Sequence, residues 1–294
     1  MELIIIGNGF DLAHSLDTRY SDFMEYLWEN DKEFYDMLTK YIYDEDLWND
    51  FEKALGYFDD GELLEMCNAA YLNYANVQDD VKEAISDEIR FSAYISEHLQ
   101  EWIKNIDTKV LPIVSDKIVN NQNLFLNFNY TDTLERAYGI EDKRICYIHG
   151  KALHNDRLII GHHNYVNKGK EPYFASYEEY SEWLEFQYSK SREEVERENQ
   201  VEEYFINTYK DTEALIVKNK HFFEGICHVG DIYVLGHSLS SVDYAYFQKV
   251  YSNVPKECVW NITCYSDKDR ENAEKLILSL GISNYRMISF DDIM

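Results

Sequence analysis

The chain begins Met1-Glu-Leu-Ile-Ile-Ile-Gly7-Asn8-Gly9-Phe10-Asp11-Leu12, an apolar run that leads directly into a turn with two glycines. The run predicts a buried strand, because β-branched and leucine residues without alternation are typical of parallel sheets covered on both faces. Gly7 and Gly9 allow a tight turn and close approach of the backbone to a ligand. Since nucleotides bind at the carboxyl ends of strands in open α/β sheets, this stretch predicts a nucleotide site, although position 12 is leucine where a dinucleotide fingerprint has its third glycine.

Strands and helices alternate along the rest of the chain. Core strands are predicted within about 2–7, 123–161 and 230–290, the middle group ending in a short strand at 157–161, and helical periodicity fills about 20–120 and 170–228. This alternation predicts one α/β domain, 1–294, with a doubly wound, mostly parallel Rossmann-like sheet and two large α-helical insertions. The first insertion is expected to cover the sheet edge as a lid or an oligomer contact.

The composition restricts the classes of partner. The chain has 55 acidic and 28 basic residues and a net charge of −27, with no run of five or more basic residues, so nucleic-acid binding is not expected. Five cysteines without a C-x-x-C pair predict neither a disulfide framework nor a zinc site. No signal peptide and no membrane span of about 18 apolar residues are expected, and the predicted compartment is the cytoplasm.

Polar residues follow three more of the predicted strands, in the segments Asn127-Phe-Asn129-Tyr130, His149-Gly150 and Gly236-His237-Ser238. The carboxyl ends of parallel strands lie at one edge of a sheet, so these segments are expected to share a crevice with Gly7 and Gly9. A histidine there can act as a general base, and an asparagine can hold a hydroxyl group or a water molecule. Taken singly, Asn129 fits a capping role and His149 a buried structural histidine; together they predict a site.

Several of these segments also resemble a known family. Positions 5–14, Ile-Ile-Gly-Asn-Gly-Phe-Asp-Leu-Ala-His, followed by Tyr20-Ser-Asp-Phe23, resemble the opening motif of the AbiH family of phage abortive-infection proteins. The resemblance continues through 127–136, Ile148-His-Gly150, 234–239 and Asp243. It implies an antiphage effector that acts by abortive infection.

The same series is similar to the sirtuin-like NAD-binding fold, in which an asparagine after a core strand precedes a His-Gly pair that carries the catalytic histidine. Asn129 and His149 occupy those places, and the resemblance therefore implies that they are catalytic. The residues that it implies for nucleotide binding are Gly7, Asn8, Gly9, Phe10, Asp11, Tyr130, Asp132, Gly236, Ser238 and Asp243. The zinc-binding cysteines of deacetylases are absent, which argues against deacetylation and leaves hydrolysis of NAD to nicotinamide, with NAD as substrate and no metal.

In this hypothesis His149 takes a proton from water or a ribose hydroxyl, Asn129 orients that group, and the amides of residues 7–10 contact the phosphates. The alternative is an inactive nucleotide-binding or sensing module that acts through a protein partner; a homo-oligomer or a defence-system partner is left open in both cases. Gly236-His237-Ser238-Leu239-Ser240 half resembles a nucleophile elbow, but no histidine follows Ser238 as that fold requires. His162 and His163 make a weak metal site, because neighbouring residues on a strand point apart.

Overall fold

The computed structural model describes residues 1–42, 46–59, 61, 65, 69, 91–154, 157–163 and 176–294. The other parts of the predicted insertions, most of them within 62–90 and 170–175, lie outside the described residues. Within this part of the chain six parallel strands form one sheet, in the order β3-β2-β1-β4-β5-β6. The strands are β1 (Leu3–Ile6), β2 (Leu124–Asn127), β3 (Ile145–Tyr147), β4 (Ile232–Leu235), β5 (Trp260–Thr263) and β6 (Tyr285–Ile288).

This strand order is that of a doubly wound dinucleotide-binding sheet, in which the two halves of the chain run outward in opposite directions from β1 and β4. The predicted α/β fold with a Rossmann-like parallel sheet and helical insertions is confirmed. The predicted strand at 157–161 is wrong: these residues pair with no strand of the described part of the chain, although the Ile159 amide donates a hydrogen bond to the His149 carbonyl at 2.8 Å.

Helices follow most of the strands and form much of both insertions as far as they are described, but residues 105–120, predicted as part of the first helical insertion, form turns and irregular backbone. The helices are α1 (Asn8–Ala13), α2 (Tyr20–Asn30), α3 (Lys32–Tyr41), α4 (Phe51–Ala54), α5 (Phe91–Lys104), α6 (Thr133–Tyr138), α7 (Tyr177–Ser189), α8 (Arg192–Asn207), α9 (Thr212–Lys218), α10 (Lys220–Gly225), α11 (Tyr244–Asn253) and α12 (Asp267–Leu280). Short 3₁₀ turns lie at Asp142–Arg144, Ala152–His154, Ile226–His228, Ser241–Asp243 and Phe290–Ile293.

The sheet is apolar on both faces. Leu3 and Ile5 of β1 pack into a cluster that includes residues of α11, whereas Ile4 and Ile6 pack into a second cluster that includes Phe10 of α1. Successive residues of a strand point to opposite faces, so an uninterrupted apolar run is needed when both faces are covered. This is the physical reason for the sequence with which the chain begins.

The chain divides into two compact units. The unit with the sheet comprises Met1–Tyr26, Ser96–Ile159 and Asp211–Met294; the other comprises Leu27–Ile95 and Ile160–Lys210. The second unit contains α3, α4, α7 and α8, and the fully buried side chain of Lys210 bonds Glu52 there at 2.8 Å. The single-domain arrangement and the lid role of the first insertion stay predictions.

The hydroxyl of Tyr138, the last residue of α6, contacts His14, which follows α1. It lies 2.7 Å from His14 Nε2 and accepts hydrogen bonds from the amides of Ile113 and Val114. Because two amides donate to this oxygen, its own proton points to His14 Nε2, and the His14 proton lies on Nδ1, 2.7 Å from the Phe10 carbonyl. Burial lowers the pKa of His14, in agreement with a neutral ring.

Replacing Tyr138 with phenylalanine is expected to lower the free energy of unfolding by about 1–3 kcal/mol, because buried donors and His14 lose their partner. Chemical denaturation measures the change. Tyr251→Phe is the matched control, since the Tyr251 hydroxyl makes one exposed hydrogen bond, to the Gly281 carbonyl, and its loss should change stability by no more than about 0.5 kcal/mol. Equal losses in the two variants would contradict this account.

Candidate functional site

Four predicted site segments follow neighbouring strands at the carboxyl edge of the sheet. His149 follows β3, Asn129 follows β2, Gly7 follows β1 and His237 follows β4, and these strands are adjacent in the order β3-β2-β1-β4. The parallel register pairs Ile6 of β1 with the last residues of β2 and β4, so the chain leaves these strands at the same level. This edge is the place where nucleotides bind in sheets of this topology.

Two buried histidines meet one carboxylate at this edge. His149 Nε2 lies 3.9 Å from Oδ1 of Asp243, and His237 Nε2 lies 3.5 Å from its Oδ2. The side chains of the two histidines are each 3% exposed and that of Asp243 is 11% exposed. The Phe128 ring packs edge-on against both imidazoles, with centroid distances of 5.2 Å to His149 and 4.4 Å to His237. His149, Asp243 and His237 are called the His–Asp–His cluster below.

The backbone determines which nitrogen of His237 carries the proton. The Leu239 amide donates to His237 Nδ1 at 2.9 Å, so a neutral His237 ring is protonated at Nε2, which faces Asp243. Leu239 has a φ of 53°, in the left-handed region that branched residues rarely adopt. The strained turn therefore presents the amide that orients His237, and Asp243 lies with one oxygen toward each histidine.

Gly7, Gly9 and Gly236 bring the turns after β1 and β4 into direct backbone contact. The Gly7 amide donates to the Leu235 carbonyl at 3.0 Å, and the Gly9 amide donates to the Gly236 carbonyl at 2.7 Å. A Cβ atom at Gly236, where φ is 65°, would lie 2.2 Å from the Phe10 nitrogen. These glycines are thus required for close packing of the two turns.

This packing bears on the expectation that the amides of residues 7–10 contact phosphates. The amides of Gly7 and Gly9 donate to the carbonyls of Leu235 and Gly236, and the Phe10 amide donates to the Gly7 carbonyl at 2.9 Å. A phosphate contact through these three amides stays a prediction that requires those hydrogen bonds to break.

Asn129 and Asp11 are two further buried polar residues near the same edge. Asn129 Nδ2 donates to the Gly7 carbonyl at 3.2 Å, and its backbone amide donates to Asn127 Oδ1 at 3.0 Å. The Asp11 carboxylate is buried and accepts a hydrogen bond from Thr131 Oγ1 at 2.6 Å. Burial raises the pKa of Asp11 to about 6, although hydrogen bonding from Thr131, Thr133 and Asn129 opposes this shift.

The remaining predicted binding residues bond to groups of the protein itself. The bonds join the Asn8 side-chain amide to the Thr18 carbonyl (2.8 Å), the Tyr130 hydroxyl to the Ile159 carbonyl (2.8 Å), the Asp132 carboxylate to Arg136 Nε (3.0 Å) and the Ser238 carbonyl to the Asn272 side-chain amide (2.9 Å). The Tyr130 ring also lies 6.4 Å from that of His149, so Tyr130 borders the His–Asp–His cluster. Ligand contacts by these residues stay predictions.

Sequence reasoning missed three members of the site: His237, Phe128 and Tyr246, whose ring centroid lies 5.7 Å from that of His149. His237 and Phe128 lay inside segments already placed at this edge, but nothing in their spacing showed that they would meet His149. The part of the chain that the structure describes contains no group of three or more His, Cys, Asp or Glu side chains that could hold a metal ion. None of the helices described is long and apolar enough to cross a membrane.

Comparison with protein-family models matches residues 3–264 to the family described as bacteriophage abortive infection AbiH. The matched range includes the His–Asp–His cluster, Asp11, Asn129 and the three packed glycines. No curated protein and no solved structure matches the chain.

Proposed function

This chain belongs to the AbiH family of bacteriophage abortive-infection proteins, and we propose that it acts in abortive infection as an NAD glycohydrolase. The observation that carries the proposal is the His–Asp–His cluster, a buried acid–base group at the carboxyl edge of a sheet with the strand order of dinucleotide-binding folds. Depletion of NAD would stop the metabolism of the infected cell and with it the replication of the phage.

The proposed reaction transfers a ribosyl group to water. The bond between C1′ of the ribose and the nicotinamide nitrogen breaks, a water oxygen bonds to C1′, and the products are nicotinamide, ADP-ribose and one proton. Nicotinamide leaves as a neutral molecule from a cationic precursor, so the leaving group needs no strong acid. The protein has to hold the ribose, shelter an oxocarbenium-like cation and position the nucleophile.

The residues of the cluster supply these roles in the proposal. His149 accepts the proton from the attacking water or from a ribose hydroxyl. Asp243 stabilises the imidazolium that results, and His237 keeps Asp243 in place through its Nε2 proton. Asn129 orients the water or hydroxyl by hydrogen bonding. The proposal makes no use of the amides of Gly7, Gly9 and Phe10.

A second candidate is a nucleotide-binding or sensing module that performs no hydrolysis and acts through a partner protein. The observation that favours it is the closed glycine turn, in which amides expected to contact phosphates bond to backbone carbonyls. Such a module would keep a nucleotide fold without the substrate contacts that catalysis needs.

Infected cells distinguish the two candidates. NAD is measured after phage challenge in cells that produce the wild type, His149→Ala or His221→Ala at equal levels; the His221 side chain is fully exposed and serves as the matched histidine control. The proposal expects NAD to fall and protection to hold with the wild type and His221→Ala, and both to be lost with His149→Ala. Protection by folded His149→Ala with an unchanged NAD pool would refute hydrolysis and support the binding module.

A further inference from the structure

One carboxylate holds the turn that carries His149 from both sides. Glu135, in the first turn of α6, bonds Lys151 Nζ through Oε1 and accepts a hydrogen bond from the Tyr147 hydroxyl through Oε2, each at 2.6 Å. Tyr147 lies two residues before His149, and Lys151 lies two residues after it. The Glu135 carboxylate therefore joins the two ends of the short segment whose centre is His149.

Glu135 also belongs to the segment that carries Asn129. That segment leaves β2, passes through Asn129 and enters α6, so that Glu135 follows Asn129 by six residues. A backbone hydrogen bond joins the same two segments, because the Ala152 amide donates to the Tyr130 carbonyl at 3.0 Å. Glu135 thus ties the turn with Asn129 to the turn with His149, the two residues to which the proposed reaction assigns the same water or hydroxyl.

The bonds to Glu135 are largely shielded from water. The side chain of Lys151 is 8% exposed and that of Glu135 is 18% exposed, and the ammonium group lies 5.1 Å from the centre of the Tyr147 ring. Burial acts to lower the pKa of Lys151, but its bonds with Glu135 and Asp142 outweigh burial and raise the pKa. Burial and the charge of Glu135 raise the pKa of Tyr147. Both groups therefore keep the protons that they donate to Glu135.

Stability alone is a weak account of this ion pair, since the hydration lost on burial offsets most of the attraction, and an apolar pair of similar size could replace it. The turn itself needs external support. Gly150 has a φ of 90°, and its amide donates to the Tyr147 carbonyl at the long distance of 3.3 Å. The Ile159 amide holds the centre of the turn through the His149 carbonyl at 2.8 Å. The bonds to Glu135 hold its two ends.

We propose that Glu135 is a positioning residue that sets the place of the His149 imidazole relative to Asn129. It acts through its bonds to Tyr147 and Lys151 and need not contact a ligand. The consequence for catalysis rests on the proposed function, whereas the effect on the position of His149 does not.

Nuclear magnetic resonance of isotope-labelled histidine tests the positioning without any activity measurement. The imidazole resonances of His149 are assigned by their loss in His149→Ala. They report small displacements, because the Phe128 ring packs edge-on against the imidazole with a centroid distance of 5.2 Å. In Glu135→Ala these resonances should move away from their wild-type positions, since both ends of the turn lose their anchor.

Glu198→Ala is the matched control for this variant. Glu198 bonds Lys190 at the same distance of 2.6 Å, and the side chain of Lys190 is also 8% exposed, but the pair belongs to the other compact unit. The His149 resonances should keep their wild-type positions in this variant. Resonances that stay in place in Glu135→Ala, or that move equally in Glu198→Ala, would overturn the proposal.

Glu135→Gln separates geometry from charge. The new side chain can accept a hydrogen bond from Lys151 with its oxygen and donate one to the Tyr147 hydroxyl with its amide group, so both bonds survive without the negative charge. The His149 resonances should therefore lie close to their wild-type positions. Displacement as large as in Glu135→Ala would overturn positioning by these bonds and assign the effect to charge.

Tyr147→Phe decides the question if Glu135→Ala does not fold. This variant removes a single hydroxyl group and leaves the bond between Glu135 and Lys151 in place. The His149 resonances should move in this variant as well, because one end of the turn is released. Unchanged resonances in folded Tyr147→Phe would overturn the proposal.

The kinetics of NAD hydrolysis connect the position of His149 to catalysis. Glu135→Ala should lower kcat by about 10–100-fold with KM within about twofold of the wild type, because misplacement of the general base affects the chemical step. Glu135→Gln should retain kcat within about threefold, since its bonds keep the turn in place. Folded Glu135→Ala with wild-type kcat would overturn the proposal. If the wild type releases no nicotinamide, the proposed function fails, and the histidine resonances still decide whether Glu135 positions His149.

Discussion

Replacing His149 with alanine is expected to lower kcat for NAD hydrolysis by about 10²–10⁴-fold, the usual contribution of a general base. His149 is the only residue of the His–Asp–His cluster to which the proposed reaction assigns proton transfer. Asn129→Ala should also abolish most of the activity, because the nucleophile loses its orienting partner.

The controls for this experiment separate chemistry from folding. His221→Ala removes a histidine with a fully exposed side chain and should retain activity within about twofold. Circular dichroism and thermal unfolding of all variants show whether the fold survives. Unfolding of both His149→Ala and Asn129→Ala would mark these residues as structural, and folded variants with wild-type kcat would remove them from the site.

Replacing Gly236 with alanine is expected to lower the free energy of unfolding by about 2–5 kcal/mol, from about 1–2 kcal/mol for the left-handed conformation and about 1–3 kcal/mol for overpacking. The residue has a φ of 65°, and an added Cβ would lie 2.2 Å from the Phe10 nitrogen and 2.4 Å from the Gly9 carbonyl carbon. Both contacts are with backbone atoms, which cannot move aside as the end of a flexible side chain can. Relief of the overlap would separate the turns after β1 and β4.

Gly139→Ala provides a matched control that separates overpacking from the cost of the left-handed conformation. Gly139 also has a φ of 65°, but a Cβ added there would have no atom within 4 Å. This variant should therefore lose only the conformational cost, about 1–2 kcal/mol, and the difference between the two variants measures the close approach at Gly236. Equal losses in chemical denaturation would show that the turns do not pack as described.

The sheet could be predicted from the sequence because most of its strands are short, largely apolar runs separated by helical periodicity. Leu3–Ile6 forms β1 as the opening run predicts. The strand order could not be predicted in this way, because it depends on which distant segments share an apolar face. The prediction at 157–161 was wrong for a related reason: Leu158 and Ile160 are buried, but their segment has no strand partner among the residues that the structure describes.

The sequence could predict which segments follow strands at this edge, but not which of their side chains contact one another. The convergence of His149, Asn129, Gly7 and Ser238 on one edge follows from parallel strands, since each lies just after a strand. The placement of His149 and His237 beside the same carboxylate could not be predicted, because His237 is oriented by the amide of Leu239, whose left-handed φ no propensity of leucine suggests. The Gly7 and Gly9 amides donate to carbonyls more than two hundred residues away in the chain, and the local sequence gives no sign of these hydrogen bonds.

The most direct test of the central claim is chromatographic analysis of the products formed when the purified wild-type chain is incubated with NAD. The account predicts nicotinamide and ADP-ribose in equal amounts, formed at a rate that His149→Ala lowers by about 10²–10⁴-fold. Intact NAD, recovered under conditions in which the protein is folded and binds the nucleotide, would contradict the account and leave the chain as a binding module.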